Sequence, residues 1–565
     1  MLESQGVATR RRVRSWAVRQ LRAPLAPTVG ALLFAWASLT PSLLPLGPVF
    51  QGLVTAVSAA LGYGVGALAG WMLRSSGVRL DAGPARRRTW RVVGVAGALG
   101  TAVALVLSHR WDDQLRDDVG VARDGLGADL QMLLLLAVLF VILLLVARGL
   151  KAAGRWVARQ IERVLPERVA LVAGGLLVTW LVWAVVTGPL SGGVVGTLDA
   201  TFAAVNDEYS TAELAPTGAT VSGGPRSGES WAELGRQGRV FIANTPTAED
   251  IAAFTGGAAE QPVRAYVGAA DGLDLADLAD QAQRAVDELE RTGGFDRAVL
   301  NVVTGTGRGW VNENQAQALE YLWAGDTATV SMQYSYLPSW MSFLVDGDRA
   351  QDAGRLLFDA VYAHWSTLPA DQRPLLVVSG ESLGTFGGEA AFSGAQDLAN
   401  RTDGALFVGP PNGNRLWSRF TAERDAGTPE VLPVYDGGRT VRFADQPSDW
   451  TSLGEWTAPR VGYLQHANDP ITWWDWSLAL EKPDWLSEPR GRDVSDHTRW
   501  FPVVTMLQVA ADQMVANAVP AGQGHEFGQE PARAWAAILP PSGWSAEDTE
   551  RLVTQMQELA PSRVE

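Results

Sequence analysis

The hydrophobic rhythm of the chain changes once, near residue 190. Before that point apolar residues run in long segments at about 28–46, 49–73, 91–108, 130–147 and 169–190. Each is roughly 18 residues or longer, enough for an α-helix to cross a bilayer. The fourth, QMLLLLAVLFVILLLVA, carries no charge, whereas the first has Pro41 and Pro45 near its end and is the least regular. Further spans follow the first and no small-residue cleavage site closes it, so it does not read as a cleavable signal peptide.

Beyond residue 237 short strand and helix patterns alternate. RVFIAN (239–244) and VRAYVGA read as strands, and TAEDIAAF between them as a short helix capped by Thr247. DLADLADQAQRAVDELERTGG reads as a helix ended by glycine. RAVLNVVT, TATVSMQY, PLLVVSG, GALFVGP and RVGYLQHAND read as strands; NENQAQALEYLW, DRAQDAGRLLFDAVYAHW and VVTMLQVAADQMVANA read as helical. Such alternation predicts a mostly parallel sheet with helices on both faces. Between the two regimes, residues 191–237 are rich in Gly, Ser, Thr and Pro, which suits a tether. The expected organisation is an N-terminal all-α transmembrane bundle of about five spans (1–190), a linker (191–237) and an α/β domain (238–565).

Charge sharpens this division. Residues 1–190 hold 21 Lys and Arg against 10 Asp and Glu, and the remainder 25 against 51. Arginines cluster before the first apolar segment, between the second and third, and between the fourth and fifth, while 109–129 holds Asp112, Asp113, Asp117, Asp118 and Asp124. The positive-inside rule then predicts a multi-pass protein of the cell membrane with a cytoplasmic N-terminus. An odd number of spans puts the α/β domain on the extracytoplasmic side. The acidic second half argues against nucleic-acid binding, which needs a positive footprint. With no cysteine there is neither disulfide nor thiolate metal site. No His/Asp/Glu cluster has convincing metal spacing, and no cofactor is expected.

The chemistry concentrates in residues 374–389, PLLVVSGESLGTFGGE. An apolar β-branched run, then Gly380-Glu381-Ser382-Leu383-Gly384, then a small-residue helix start, form the strand, sharp turn and helix of a G-x-S-x-G nucleophile elbow. Gly380 and Gly384 remove side chains that the tight turn would drive into backbone. Elbow hydrolases order their triad Ser, Asp or Glu, His along the chain. His109 and His364 precede Ser382, and His466 and His497 come before the last helical unit; His525 follows it, in a loop flanked by Gly522 and Gly524. Asp469, at the end of RVGYLQHAND and held by Pro470, is the best acid, with Asp436, Asp445, Asp475 and Asp493 read as solvated loop carboxylates. The Leu383 N–H is one expected oxyanion donor, and the second is expected around Thr304, Gly305 and Thr306. Tyr334, Tyr336 and Trp340, with Trp473 and Trp474, are candidate substrate-binding aromatics, with burial in the core as the competing reading.

Long stretches of the chain resemble an actinobacterial membrane-anchored α/β-hydrolase family with an N-terminal multi-span domain. The likeness rests on SLTPSLLP (38–45), LGYGVG (61–66), MQYSYLPSW (332–340), GESLG, GALFVGPP (404–411), YLQHANDPI (463–471) and GQGHEFG. It implies a serine hydrolase of the cell envelope with an α/β-hydrolase fold and Ser382, Asp469 and His525 as triad. Placement beside a membrane suits membrane lipids as partners and a lipid or acylated glycolipid ester as substrate. Acyl transfer through the same acyl-enzyme is an alternative. So are a non-enzymatic transporter or sensor with a hydrolase-like domain and an envelope peptidase. The oligomeric state is left open.

Overall fold

The computed structural model describes residues 25–76, 85–161, 180, 214–269, 275–337, 342 and 347–559. The chain divides into two compact units.

The first unit is built on α1 (Leu25–Ser38), α2 (Pro48–Ser75), α3 (Ala85–Val119) and α4 (Leu126–Ile161). Three stretches, Pro48–Ser75, Arg87–Val119 and Leu126–Ile161, are long and apolar enough to cross a membrane. Among the described residues these are three of the five expected spans. The first apolar segment gives only the 14-residue α1, because Pro41 and Pro45 fall in a loop over 39–47. The fifth, 169–190, lies outside the described residues save Trp180. α3 also runs past its apolar segment to Val119, so His109 is helical.

In the second unit come α5 (Gly235–Ala243), α6 (Ala248–Thr255), β1 (Val263–Val267), α7 (Leu275–Thr292), β2 (Val299–Thr304), α8 (Glu313–Leu322), β3 (Thr327–Met332), α9 (Gly347–Thr367) and β4 (Leu375–Glu381). There follow α10 (Leu383–Gly388), α11 (Ala395–Arg401), β5 (Gly404–Val408), α12 (Arg415–Ala422), β6 (Val441–Ala444), β7 (Arg460–Leu464) and α13 (Pro470–Trp473). α14 (Val504–Asp512) belongs to the first unit, and α15 (Glu530–Ile538) and α16 (Ala546–Glu558) complete the second. The seven strands form one all-parallel sheet in the order β1-β3-β2-β4-β5-β7-β6. Helices α8, α15 and α16 pack together over one core, with Val299, Val377, Leu406 and Leu464 of the sheet. α7, α9 and α10 form a second packed group of helices. Both faces of the central strands are therefore buried, which is why those strands read as apolar runs without alternation.

Three local expectations change. Residues 239–243 are helical, part of α5, and Asn244 is its C-cap; the segment is not a strand. A short apolar run does not distinguish a strand from a buried helix, and α5 is buried almost throughout, with Gly238 against the Tyr266 ring. β6, with its Arg442, gave no strand signal; that arginine lies inward, donating to Gly438 and Trp450 carbonyls and stacking on Trp456. Part of the expected linker is folded: Val221 pairs in parallel with Arg264 of β1, and Ser222 donates to Glu288. This covers an edge that would otherwise offer unpaired backbone groups.

Two later segments, Trp476–Lys482 and Ser495–Val515, also belong to the first unit. The buried Asp512 carboxylate accepts from the Ser42 hydroxyl and, at 3.0 Å, from the Leu43 N–H. Burial raises its pKa to about 7 in spite of these hydrogen bonds.

Candidate active site

Ser382 sits at the carboxyl end of β4 with φ 54° and ψ −126°, a positive-φ conformation rare for a side-chain-bearing residue. Its N–H donates to the Val408 carbonyl of β5 at 2.8 Å, and its carbonyl accepts from the Thr385 N–H. The flanking glycines have the steric role expected of them. A Cβ on Gly380 would lie 2.5 Å from the Gly384 oxygen, and one on Gly384 would lie 2.3 Å from the Thr304 oxygen. The side chain of Glu381, beside the serine, accepts from Asn312, which caps α8. The elbow is thereby tied to the loop that follows β2.

β7 ends at Leu464, five residues before Asp469, which instead caps the four-residue α13. Asp469 is fully buried; one oxygen accepts from the Ile471 N–H at 2.8 Å. The other lies 2.6 Å from Nδ1 of His525, whose N–H donates to it. This bond selects the tautomer that leaves Nε2 of His525 as a base. Gly409, the residue after β5, has φ +56° and its Cβ position lies 2.5 Å from Cε1 of His525. Since Ser382 is bonded to Val408 and the imidazole lies against Gly409, the two reach the same carboxyl-terminal edge of the sheet. Open α/β sheets bind ligands at that edge.

The loop carrying His525 is held by the segment after β7. His466 is buried; its Nδ1–H donates to the Gly524 carbonyl at 2.8 Å and its Nε2–H to Glu530 at 2.7 Å. Burial alone would lower the His466 pKa, but the Glu530 carboxylate, the Gly524 carbonyl and the nearby Asp445 together outweigh it and bring it up to about 9. The raised pKa favours the imidazolium, the form in which both ring nitrogens donate. Asn468 accepts from the Gly524 N–H and donates to Gln523. Phe527 stacks on His466 and meets His525 edge-on. Nothing in the sequence pattern pointed to His466 as a clamp; the one available signal was Glu530, an acid at a helix start followed by Pro531.

A profile of an alpha/beta-hydrolase family matches residues 263–552, more than half of the chain. The chain belongs to this alpha/beta-hydrolase family. A second profile, for the N-terminus of an alpha/beta-hydrolase family, matches residues 39–246. No curated protein and no solved structure matches.

The remaining residues expected at the hydrolase site divide. Leu383 opens α10 directly behind Ser382, and Thr304 and Gly305 adjoin Gly384. The Thr306 N–H is already committed to the Trp310 carbonyl at 2.9 Å, which removes it as an oxyanion donor. Tyr334 is fully buried, Tyr336 and Trp474 are half-buried, and Trp340 lies outside the described residues. Trp473 is a correction: it is 1% exposed, packs against Trp417 and Trp485, and donates to the His466 carbonyl. It is core and supports the loop of the acid from behind. Asp445 is a second correction, since it is buried rather than solvated; burial and the nearby Asp493 raise its pKa to about 6. His497 stacks on Trp111 in the first unit. Among the described residues no His/Asp/Glu cluster suits a metal ion.

Proposed function

We propose that this chain is a membrane-anchored serine hydrolase that cleaves an ester through an acyl-enzyme on Ser382. The observation that carries the reading is the 2.6 Å Asp469–His525 pair on the sheet edge where the strained elbow presents Ser382. Ser382 Oγ attacks the acyl carbon while its proton passes to Nε2 of His525; Asp469 holds the imidazole and offsets its charge. The oxyanion receives the Leu383 N–H, with the Gly305 N–H as second donor. Collapse of the tetrahedral intermediate breaks the ester C–O bond, and His525 returns the proton to the leaving alkoxide. Water then attacks the acyl-enzyme with His525 again as base. A hydroxyl acceptor in place of water makes the same enzyme a transacylase.

The substrate class follows from the first unit. Three helices long and apolar enough to span a bilayer support a membrane-anchored enzyme, whose substrate is then a lipid or acylated glycolipid of the envelope. The basic clusters support a cytoplasmic N-terminus and a catalytic unit outside. A fluorophosphonate should label the purified protein once, and Ser382→Ala should abolish the label; labelling that survives sinks the assignment. Incubation of a long-chain ester with and without an alcohol acceptor separates free acid from transferred acyl group.

A further inference from the structure

Between Asp469 and His525 the chain leaves the sheet unit twice. Trp476–Lys482 and Ser495–Val515 fold into the helical unit, and the chain is back in the sheet unit at Ala516, whose carbonyl accepts from the His525 N–H. The two excursions are joined by the Val503 N–H donating to the Ala479 carbonyl and by the Trp500 indole donating to the Leu478 carbonyl.

Their inner side is pinned at one end of the helices. Gln508 donates to the Thr40 carbonyl at 2.7 Å and Thr498 to the Ser42 carbonyl at 3.2 Å, while Asp512 accepts from Ser42 and Leu43. The His497 ring stacks on Trp111, near the end of α3. Arg116 of α3 in turn donates to the Leu46 carbonyl, so the loop over 39–47 and the end of α3 are one anchorage.

Their exposed side carries large apolar side chains among polar ones such as Ser477, Glu481, Asp496 and Arg499. Trp476, Leu480 and Met514 are 68%, 80% and 50% exposed, and apart from them only Leu214 and Leu275 are large exposed apolar residues among those described after residue 213. At the same end, Val49 and Leu53 in the first turns of α2 are exposed as well. Large apolar side chains exposed to this degree suit contact with an apolar phase. Here they are fastened to the end of helices of membrane-spanning length, and the first excursion ends in Lys482, whose stem can lie along lipid with its charge in water.

We propose that Trp476, Leu480 and Met514 bed in the polar–apolar boundary of the lipid bilayer, making the stretch between acid and base an interfacial lip. The proposal rests on the membrane reading of the first unit. Tryptophan belongs at that depth, its ring in the acyl boundary and its N–H among headgroups. The lip contributes anchorage of the monotopic kind, in which exposed apolar side chains enter one leaflet without spanning it.

The absence of cysteine makes the test direct. Leu480→Cys, Met514→Cys, Leu134→Cys on α4 and Glu547→Cys on α16 are each labelled with an environment-sensitive fluorophore in the full-length protein. Each is reconstituted in phosphatidylcholine–phosphatidylglycerol nanodiscs carrying nitroxide lipids. The labels at 480 and 514 should be quenched by a shallow nitroxide more than by a deep one, and the label at 547 by neither. Quenching at 134 without quenching at 480 and 514 overturns the lip and leaves the membrane reading standing. No quenching at 134 overturns both. Efficient 480–480 disulfide formation without quenching identifies a second copy as the occupant and overturns the lipid assignment. As a functional arm, Leu480→Asp should lower turnover of a bilayer-presented ester on the order of tenfold, since burying a leucine is worth at least that factor. Turnover of a short soluble ester should be unchanged, and equal loss on both substrates counts against the lip.

Discussion

The imidazolium of His466 donates to the carbonyl of Gly524, the residue before His525, at 2.8 Å. One histidine thereby holds the backbone that aims the other, and Glu530 keeps the first one charged. The pKa of His466 is raised from 6.5 to about 9, so the folded state favours the protonated ring. The associated stability, on the order of 3 kcal/mol as an upper bound, is fully present below about pH 6.5 and is lost as pH rises through about 9. The melting temperature should therefore fall between pH 7 and 10. Glu530→Gln should move this loss toward neutral pH and bring an alkaline fall in fluorophosphonate labelling with it. Superimposable pH–melting curves for the two proteins would contradict the clamp.

Ser382 holds a strained backbone, φ 54° and ψ −126°. Such conformations cost on the order of 1–3 kcal/mol, and glycine adopts them freely at a backbone-entropy cost of roughly 0.5–1 kcal/mol. Ser382→Gly should thus be at least as stable as wild type, by about 1 kcal/mol in urea unfolding of the sheet unit, while losing all labelling. A clear loss of stability would mean that the turn is not strained.

Gly409 has φ +56° and faces the His525 ring at 2.5 Å from a would-be Cβ. Gly409→Ala must move the imidazole or the strand end. A displacement near 1 Å lowers the acylation rate roughly a hundredfold. Stopped-flow acylation with a p-nitrophenyl ester measures it, and a rate within twofold of wild type would show that the ring is not positioned by this contact.

Trp473 is enclosed at 1% exposure beside Trp417 and Trp485. Trp473→Ala should therefore destabilise the sheet unit by about 3–5 kcal/mol. The preference for acyl length, compared per folded molecule over a chain-length series, should stay as in wild type. A stable variant with a flattened preference would put Trp473 back in the substrate path.

Ser382 was legible because its surroundings are local. Gly380 and Gly384 stand two residues either side of the serine, and the collision they avoid is with backbone four or five residues on or at the end of the adjoining strand β2. The βα alternation was legible for the same reason, since each strand and helix declares itself by its own period and caps, as Thr247 does with Asp250. Asp469 and His525 followed from chain order, but their 2.6 Å contact joins residues 56 apart and exists only because β5 and β7 are neighbours in the sheet.

What the tertiary structure alone decided shares one cause: the partner is remote and the local pattern is neutral. Residues 239–244 are apolar enough for strand or helix, and packing of Gly238 on Tyr266 accompanies the helical outcome. Trp473 and Trp476 stand three residues apart in one aromatic run, yet the first is enclosed by core and the second is exposed. Asp512 reads as an ordinary helical carboxylate until Ser42, 470 residues earlier, is placed against it. Hydrophobic period reports which face of an element is buried, not what buries it, so the division of one continuous stretch between two units is set only when the whole chain has folded.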